Sequence, residues 1–159
     1  MRLLIGGLLL VTALPAYAAD CSNWQAGKEE VEGGTAMVAK ICNAAGGELR
    51  ADCGEPGKMT LSLKPTGADF PPPGGNPDFV GKVHIEAGGK TFDPDMSYAA
   101  MDGVLGLDLD ADDPLAKAMG SNGSIVFTSK SAGIPATTFS LSGSSAALDA
   151  LLASCKGGN

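Results

Sequence analysis

Alternation of apolar and polar residues is the dominant pattern along this chain. Apolar side chains recur at every second position in a series of short runs, and most positions between them are polar. Successive side chains of a strand point to opposite faces, so a period of two predicts strands with one core face and one solvent face. This is typical of antiparallel sheets. The runs span residues 59–64, 79–86, 105–110, 124–128 and 138–142.

The segments between these runs are typical of turns and loops. The pairs Gly88-Gly89 and Asp102-Gly103 suit hairpin turns, which need residues that tolerate positive φ. The segment 71–77, which is rich in proline and glycine, predicts an extended surface loop. Residues 37–42 predict a further strand, with a short helix as the alternative.

Two short helices are expected, at about 113–119 and 145–155. Asp112 or Asp113 can cap the first, and Pro114 suits its first turn. The second helix is predicted by residues at spacings i, i+3, i+4 and i+7, which share one helical face. These residues are Leu148, Leu151, Leu152 and Cys155, and Ser144 or Ser145 is the expected cap.

The first residues have the pattern of an export signal. Arg2 precedes a short apolar run, and Ala16 and Ala18 provide the small residues of a cleavage site. The expected division is a signal peptide at 1–18 and a single β-rich domain at 19–159. The chain has a net charge of −7, which becomes −8 without Arg2. Because the chain has no basic cluster, nucleic-acid binding is not expected. The apolar run near the start is too short for a transmembrane segment.

Four cysteines in an exported chain predict two disulfides, and four cysteines allow three pairings. We expect Cys42–Cys53, which flank the Gly46-Gly47 turn, and Cys21–Cys155, which would join the two ends of the domain. Trp24 is then expected to pack near the terminal disulfide. Phe70 is either a contact point for a partner or packs against a sheet edge.

The run Asp-Leu-Asp-Ala-Asp-Asp at 108–113 raises the question of calcium. Alternating aspartates suggest a calcium loop, but an EF-hand needs Gly at its sixth position and Glu at its twelfth. Asp113 and Met119 stand there. We therefore interpret Asp108 and Asp110 as the solvent face of a strand, and retain Asp108, Asp110 and Asp112 as the metal alternative. No metal or other cofactor is expected.

No arrangement of residues predicts catalysis. His84 is the single histidine, and the serines after Gly143 lack the second glycine of a nucleophile elbow. Cysteines in disulfides cannot act as thiolate nucleophiles. We therefore expect that the protein is not an enzyme and that His84 is a surface residue.

Residues 101–155 resemble the C-terminal part of small exported proteins of Gram-negative bacteria, of which the invasion-associated locus B family is the best known. The resemblance rests on the Leu-Ser-Gly-x-x-x-Ala-Leu step at 141–148, preceded by a strand containing glycine. It implies a β-sandwich and a non-enzymatic role at the host or the cell envelope. It transfers no catalytic residues.

The sequence thus predicts a mainly β protein: an antiparallel β-sandwich or curled sheet with two short helices, held by disulfides. The expected location is the periplasm or the exterior. The expected function is recognition of a protein or an envelope component by the protein surface. The alternatives are an inhibitor of an exported or host hydrolase such as lysozyme, and a carrier with a small-ligand pocket between the sheet and the helices.

Overall fold

A computed structural model describes residues 21–31, 34–54 and 57–156. The predicted signal peptide, residues 1–18, lies outside the described residues. In chain order, the strands are β1 (Gln25–Val31), β2 (Gly34–Cys42), β3 (Glu48–Cys53), β4 (Lys58–Lys64), β5 (Val80–Lys82), β6 (His84–Ala87), β7 (Lys90–Phe92), β8 (Asp95–Ala99), β9 (Val104–Asp110), β10 (Ser124–Ser129) and β11 (Ile134–Ser140). The helices are α1 (Pro114–Met119) and α2 (Ser144–Cys155).

The strands form two antiparallel sheets. The order in the seven-stranded sheet is β1-β2-β3-β4-β9-β8-β5, and in the four-stranded sheet it is β11-β10-β6-β7. Buried side chains from both sheets and both helices form one hydrophobic core. The predicted class, mainly β with antiparallel pairing and two short helices, is confirmed.

One bent hairpin contributes strands to both sheets. The predicted strand at 79–86 is divided at Val83 into β5 and β6, and its partner is divided at Asp93 and Pro94 into β7 and β8. The amide of Val83 donates to the carbonyl of Pro94 at 3.1 Å, so the hairpin remains paired at the bend. The two glycines at its tip, residues 88 and 89, have φ of 57° and 71°. These values fit the predicted hairpin turn.

The alternation predicts no strand over β1, β7 or β8. All but one of the residues of β1 are exposed, so this edge strand has no buried face to give a period of two. β7 has only three residues, and β8 buries only Met96 and Tyr98. Such short alternations are difficult to distinguish from loop sequence.

Both helices lie where the sequence predicts them, but only one is capped as expected. The side chain of Asp113 accepts a hydrogen bond from the amide of Leu115 at 2.7 Å, which decides between the two predicted caps of α1. The predicted serine cap of α2 is wrong. Gly143, with φ of 82°, stands at the cap position, and Ser144 is already helical. The Ser144 hydroxyl therefore turns back and donates to the carbonyl of Leu141 at 2.7 Å.

We expect Asp113→Ala to lower the free energy of unfolding by about 1 kcal/mol, because the Leu115 amide loses its acceptor. Asp112→Ala is the matched control, since Asp112 is exposed and does not cap α1. Urea denaturation followed by circular dichroism measures both variants. Equal losses in the two variants would show that the Asp113 cap does not stabilise the fold.

The predicted disulfide pairing is wrong. The bridges are Cys21–Cys42 and Cys53–Cys155, so no cysteine is free. Cys42 pairs in register with Glu48, near the turn. Cys53 lies five residues further along β3, about 17 Å away at the usual rise per residue. A disulfide needs Cα atoms closer than about 7 Å, so Cys42 and Cys53 cannot be joined.

Each cysteine instead finds its partner through local packing. The amide of Cys42 donates to the carbonyl of Cys21 at 2.6 Å, which brings the residues before β1 beside the end of β2. Cys53 follows Leu49 and Ala51 on the core face of β3, where α2 covers the sheet. Cys155, at the end of α2, therefore meets Cys53. The prediction that Cys155 points inward is confirmed, but its partner is different.

Candidate functional site

The outer face of the seven-stranded sheet, opposite the hydrophobic core, carries a trough. A row of residues crosses the sheet in register, with long charged side chains at one end and small ones at the other. In order, the row is Lys40, Arg50, Ser62, Gly106 and Ser97. Because Gly106 has no side chain and both serines are short, the face is hollow at β4, β9 and β8.

The trough consists of two adjoining depressions. One, of about 450 Å³, is lined by residues of β1, β3, β4, β9 and the β8–β9 turn. The other, of about 350 Å³, extends over β8 and β9. They share Asp52, Ser62, Asp102 and Val104, and we treat them as one trough. Its remaining lining residues are Val31, Glu48, Arg50, Thr60, Lys64, Ser97, Ala99, Gly106, Leu107 and Asp108.

An ion-pair network borders the trough on the side of β1. Glu29 accepts from Lys40 Nζ at 2.5 Å and from the guanidinium of Arg50 at 3.0 Å. Arg50 Nε also donates to Asp52 at 3.1 Å. The hydrogen bond from Lys40, together with the positive charges of Lys40 and Arg50, lowers the pKa of Glu29 against the opposing effect of partial burial. These contacts hold Arg50 at the edge of the trough.

β9 and the turn before it line the trough next to β4. The hydroxyl of Thr60 donates to Asp108 at 2.7 Å, across the β4–β9 pair. Asp102 lies in the β8–β9 turn, where the predicted Asp102-Gly103 turn is found. Met101, beside it, is 95% exposed. β9 and this turn therefore contribute the carboxylates of Asp108 and Asp102 to the trough.

The structure does not bring the three aspartates considered for calcium together into one group. Asp108 accepts from Thr60 and the carbonyl of Asp110 accepts from the Asp113 amide, while Asp112 is exposed. Over the described part of the chain, no three His, Cys, Asp or Glu residues are grouped so that they could hold a metal ion. The interpretation of Asp108 and Asp110 as exposed positions of a strand agrees with their exposure.

His84 lies at the start of β6, just after the bend of the hairpin, and not in the trough. Its Nδ1 is 2.8 Å from Asp93 and its Nε2 is 3.5 Å from Glu86. Its side chain is 44% exposed, so the surface position predicted for it is confirmed. The serine that follows Gly143, Ser144, is fully buried and bonded to Leu141. His84 and Ser144 thus have separate contacts, and no hydrogen bond joins these two residues.

We expect the pKa of His84 to lie above its ordinary value of about 6.5, because the hydrogen bond to Asp93 favours the charged imidazolium. The contact between Asp93 and the charged His84 therefore stabilises the folded state fully below about pH 6.5, the ordinary pKa of histidine. This stabilisation is lost as the pH rises through the raised pKa of His84. NMR titration can follow the single histidine without ambiguity. Asp93→Asn should return the pKa toward about 6.5. An unchanged pKa would contradict a role for Asp93.

Trp24 and Phe70 have structural contacts. Trp24 is 6% exposed and its indole donates to the carbonyl of Ser140 at 2.8 Å. The ring of Phe70 packs edge-on against Tyr98 at 5.9 Å, and the Tyr98 hydroxyl donates to the Phe70 carbonyl at 2.7 Å. Of the two interpretations of Phe70, packing against the sheet is the one observed.

A small-ligand carrier would need a pocket between the sheet and the helices. A cleft of about 270 Å³ lies there, between α1 and α2, with Met59, Ala116, Leu148 and Leu152 among its lining residues. Pockets for drug-sized ligands usually occupy about 300–1,000 Å³. The cleft lies just below this range, and the trough on the outer face is the larger candidate site.

Comparison with known protein families, with curated proteins and with solved structures gave no match. The resemblance to the invasion-associated locus B family therefore remains an expectation. No helix in the described residues is long and apolar enough to span a membrane. The two disulfides are typical of proteins that fold outside the reducing cytoplasm.

The residues of the trough were not identified as a site from the sequence. They come from five strands and the turn between two of them, and each looks like an ordinary solvent-facing position in its own strand. Gly106 is the one signal that could have been used, because glycine inside a strand often marks a place where another molecule approaches closely. Only the strand order places it between Ser62 and Ser97.

Proposed function

We propose that the protein is an exported, non-catalytic recognition protein whose outer sheet face binds a partner protein or an envelope component. The observation that carries this proposal is the trough on that face. It combines hydroxyl groups, carboxylates and cations with a floor of small residues, so that a partner could approach the backbone closely. A periplasmic or secreted location is part of the proposal.

The size of the face supports recognition of a macromolecule. Neighbouring strands lie about 4.8 Å apart, so seven strands span about 29 Å, and strands of about six residues extend about 20 Å. This gives roughly 600 Å² before side chains are counted. A standard interface buries about 800 Å² on each partner. The face is therefore of the right order for a protein or polymer partner.

The rigidity of the scaffold also supports this role. The trough is built on hydrogen-bonded strands, and disulfides tie both β2 and β3 to other segments. A preformed surface loses little conformational entropy on binding, so more of the contact energy contributes to affinity. The proposal includes no chemical step, because the four cysteines are oxidised and His84 lies outside the trough.

The test is to block the trough without disturbing the core. Ser97 is exposed on the trough floor, so Ser97→Trp should fill the trough and leave the fold intact. Thr138→Trp is the matched control, since Thr138 is an exposed strand position in the other sheet. Both variants and the wild type would be used to capture partners from an envelope extract of the native host.

We expect the wild type and Thr138→Trp to retain the same partner and Ser97→Trp to lose it. Equal thermal unfolding of the two variants would show that the loss is local. If Ser97→Trp retains the partner as well as the control does, recognition by the outer face is wrong.

Inhibition of a hydrolase is a second candidate. It is favoured by the acidic net charge and by the β8–β9 turn, whose Met101 is 95% exposed and free to contact an enzyme surface. An acidic protein suits a basic target such as lysozyme. A lysozyme activity assay tests this directly. Loss of rate with excess protein would support inhibition, and an unchanged rate would count against it for this enzyme.

A further inference from the structure

The charges on the outer face are unevenly balanced. Its cations have carboxylate neighbours. Lys40 and Arg50 bind Glu29, and Lys82 binds Asp95 at 2.8 Å. Lys64 stands opposite Glu48 in register, and Lys58 stands opposite Asp110. Two carboxylates differ. Asp102 and Asp108 line the trough, and neither forms an ion pair within the described residues. Asp108 has only the neutral hydroxyl of Thr60 as a partner.

These two carboxylates lie along β9. Asp108 is four residues from Val104, about 13 Å at the usual rise of a strand, and Asp102 lies beyond Val104 in the turn. The floor between them is formed by small residues. In an extended segment, side chains at every second position share one face. Two basic residues on one face of such a segment, four positions apart, would therefore reach both carboxylates.

The end of the trough near Asp102 is apolar as well as acidic. Val31 is 38% exposed, and it is one of the few large hydrophobic side chains that are exposed among the described residues. Val31 and Val104 line the trough together with Asp102. An apolar side chain of a partner, next to a basic one, would cover this end.

We propose that the trough binds an extended, basic segment of a partner protein, with two cationic side chains at Asp102 and Asp108 and an apolar one at Val31 and Val104. This rests on the proposed recognition function and names the chemistry of the partner. The same charges disfavour a nucleic acid, whose phosphates would be repelled. The lining contains no aromatic ring, the usual platform for a sugar.

The experiment uses the full protein and a short labelled peptide in which lysine alternates with threonine, followed by fluorescence anisotropy at low and at physiological salt. The variant is Asp102→Asn with Asp108→Asn. The matched control is Asp78→Asn with Asp112→Asn, which removes the same charge from exposed positions outside the trough. A peptide of alternating glutamate and threonine tests the sign of the charge.

We expect the lysine peptide to bind, the glutamate peptide not to bind, and the Asp102/Asp108 variant to lose about tenfold in affinity relative to the control pair. Affinity should fall at physiological salt. A terminal leucine on the lysine peptide should strengthen binding, and Val31→Ser should remove that gain. The inference is overturned if the wild type does not bind the lysine peptide, or if both charge variants bind it equally.

The capture experiment separates this inference from the proposed function. If Ser97→Trp loses the native partner while the Asp102/Asp108 variant keeps it, recognition by the outer face stands and a basic partner is wrong. If Ser97→Trp keeps the partner, the recognition function itself fails, whatever the peptide does.

Discussion

Removal of the Cys53–Cys155 disulfide, by Cys53→Ala together with Cys155→Ala, is expected to lower the free energy of unfolding by about 4–5 kcal/mol. The bridge joins residues 102 positions apart, so it closes a long loop and restricts the unfolded chain strongly. It also fixes the end of α2 to β3, where Cys155 is 7% exposed. A loss of this size is a large part of the stability of a single domain.

The matched control is Cys21→Ala with Cys42→Ala, which opens a loop of only 21 positions. The expected loss is about 3 kcal/mol, since loop-closure entropy grows only slowly with length. The two loops do not overlap, so each pair can be removed separately. Urea denaturation of the three proteins gives both the free energies and the m-values. If removal of Cys21–Cys42 lowers the free energy of unfolding more than removal of Cys53–Cys155, loop length does not determine which disulfide stabilises the fold more.

Replacement of Trp24 by alanine is expected to cost about 3–5 kcal/mol, because it empties a large buried site. Trp24 precedes β1 of the seven-stranded sheet, and its indole donates to Ser140 at the end of β11 in the other sheet. The side chain therefore joins the two sheets both by packing and by a hydrogen bond. Its loss should weaken the contact between the sheets.

Trp24→Phe separates the two contributions. It retains an aromatic ring and removes the donor, so we expect a smaller loss of about 1–2 kcal/mol from the unpaired Ser140 carbonyl. Val80→Ala serves as a surface control, since Val80 is 64% exposed and should change stability by less than about 0.5 kcal/mol. Trp24 is the single tryptophan of the chain, so both Trp24 variants lack tryptophan fluorescence. Circular dichroism is therefore the readout. Equal losses for Trp24→Ala and Trp24→Phe would contradict a packing role.

The elements that the sequence predicts well are those with a clear core face. The run at 59–64 became β4, with Met59, Leu61 and Leu63 fully buried. The spacing of Leu148 and Leu151 correctly predicted α2. Where one face was not distinct, as in the exposed strand β1, the same method failed. A periodic signal arises only when one face is buried and the other is not.

The pairing of the cysteines shows what local spacing cannot decide. Cys42 and Cys53 flank a turn, so their positions in the sequence suggested a bridge across a hairpin. The register of β2 and β3 places them far apart, because the turn is centred nearer to Cys42. The partner of Cys53 is Cys155, which lies on α2 and is 102 residues further along the chain. Neither fact can be inferred from the neighbours of the cysteines.

The candidate site was even less accessible to sequence reasoning. Ser62, Ser97 and Gly106 are unremarkable in their own strands, and they meet only because β4, β9 and β8 are neighbours in the sheet. The lack of an ion pair at Asp102 and Asp108 likewise becomes visible only when the ion pairs of the other charged residues are known from the structure. Predicted exposure identified Asp108 as a surface residue, but not as part of a trough.

The sequence by itself determined the type of this protein: antiparallel strands, two short helices in their places, an even number of cysteines and an acidic charge. These follow from local periodicity and composition, which depend on near neighbours in the chain. The tertiary structure alone decided the strand order, the disulfide partners and the trough. These depend on contacts between distant residues, and the pattern of a single strand or helix carries no information about which other element will pack against it.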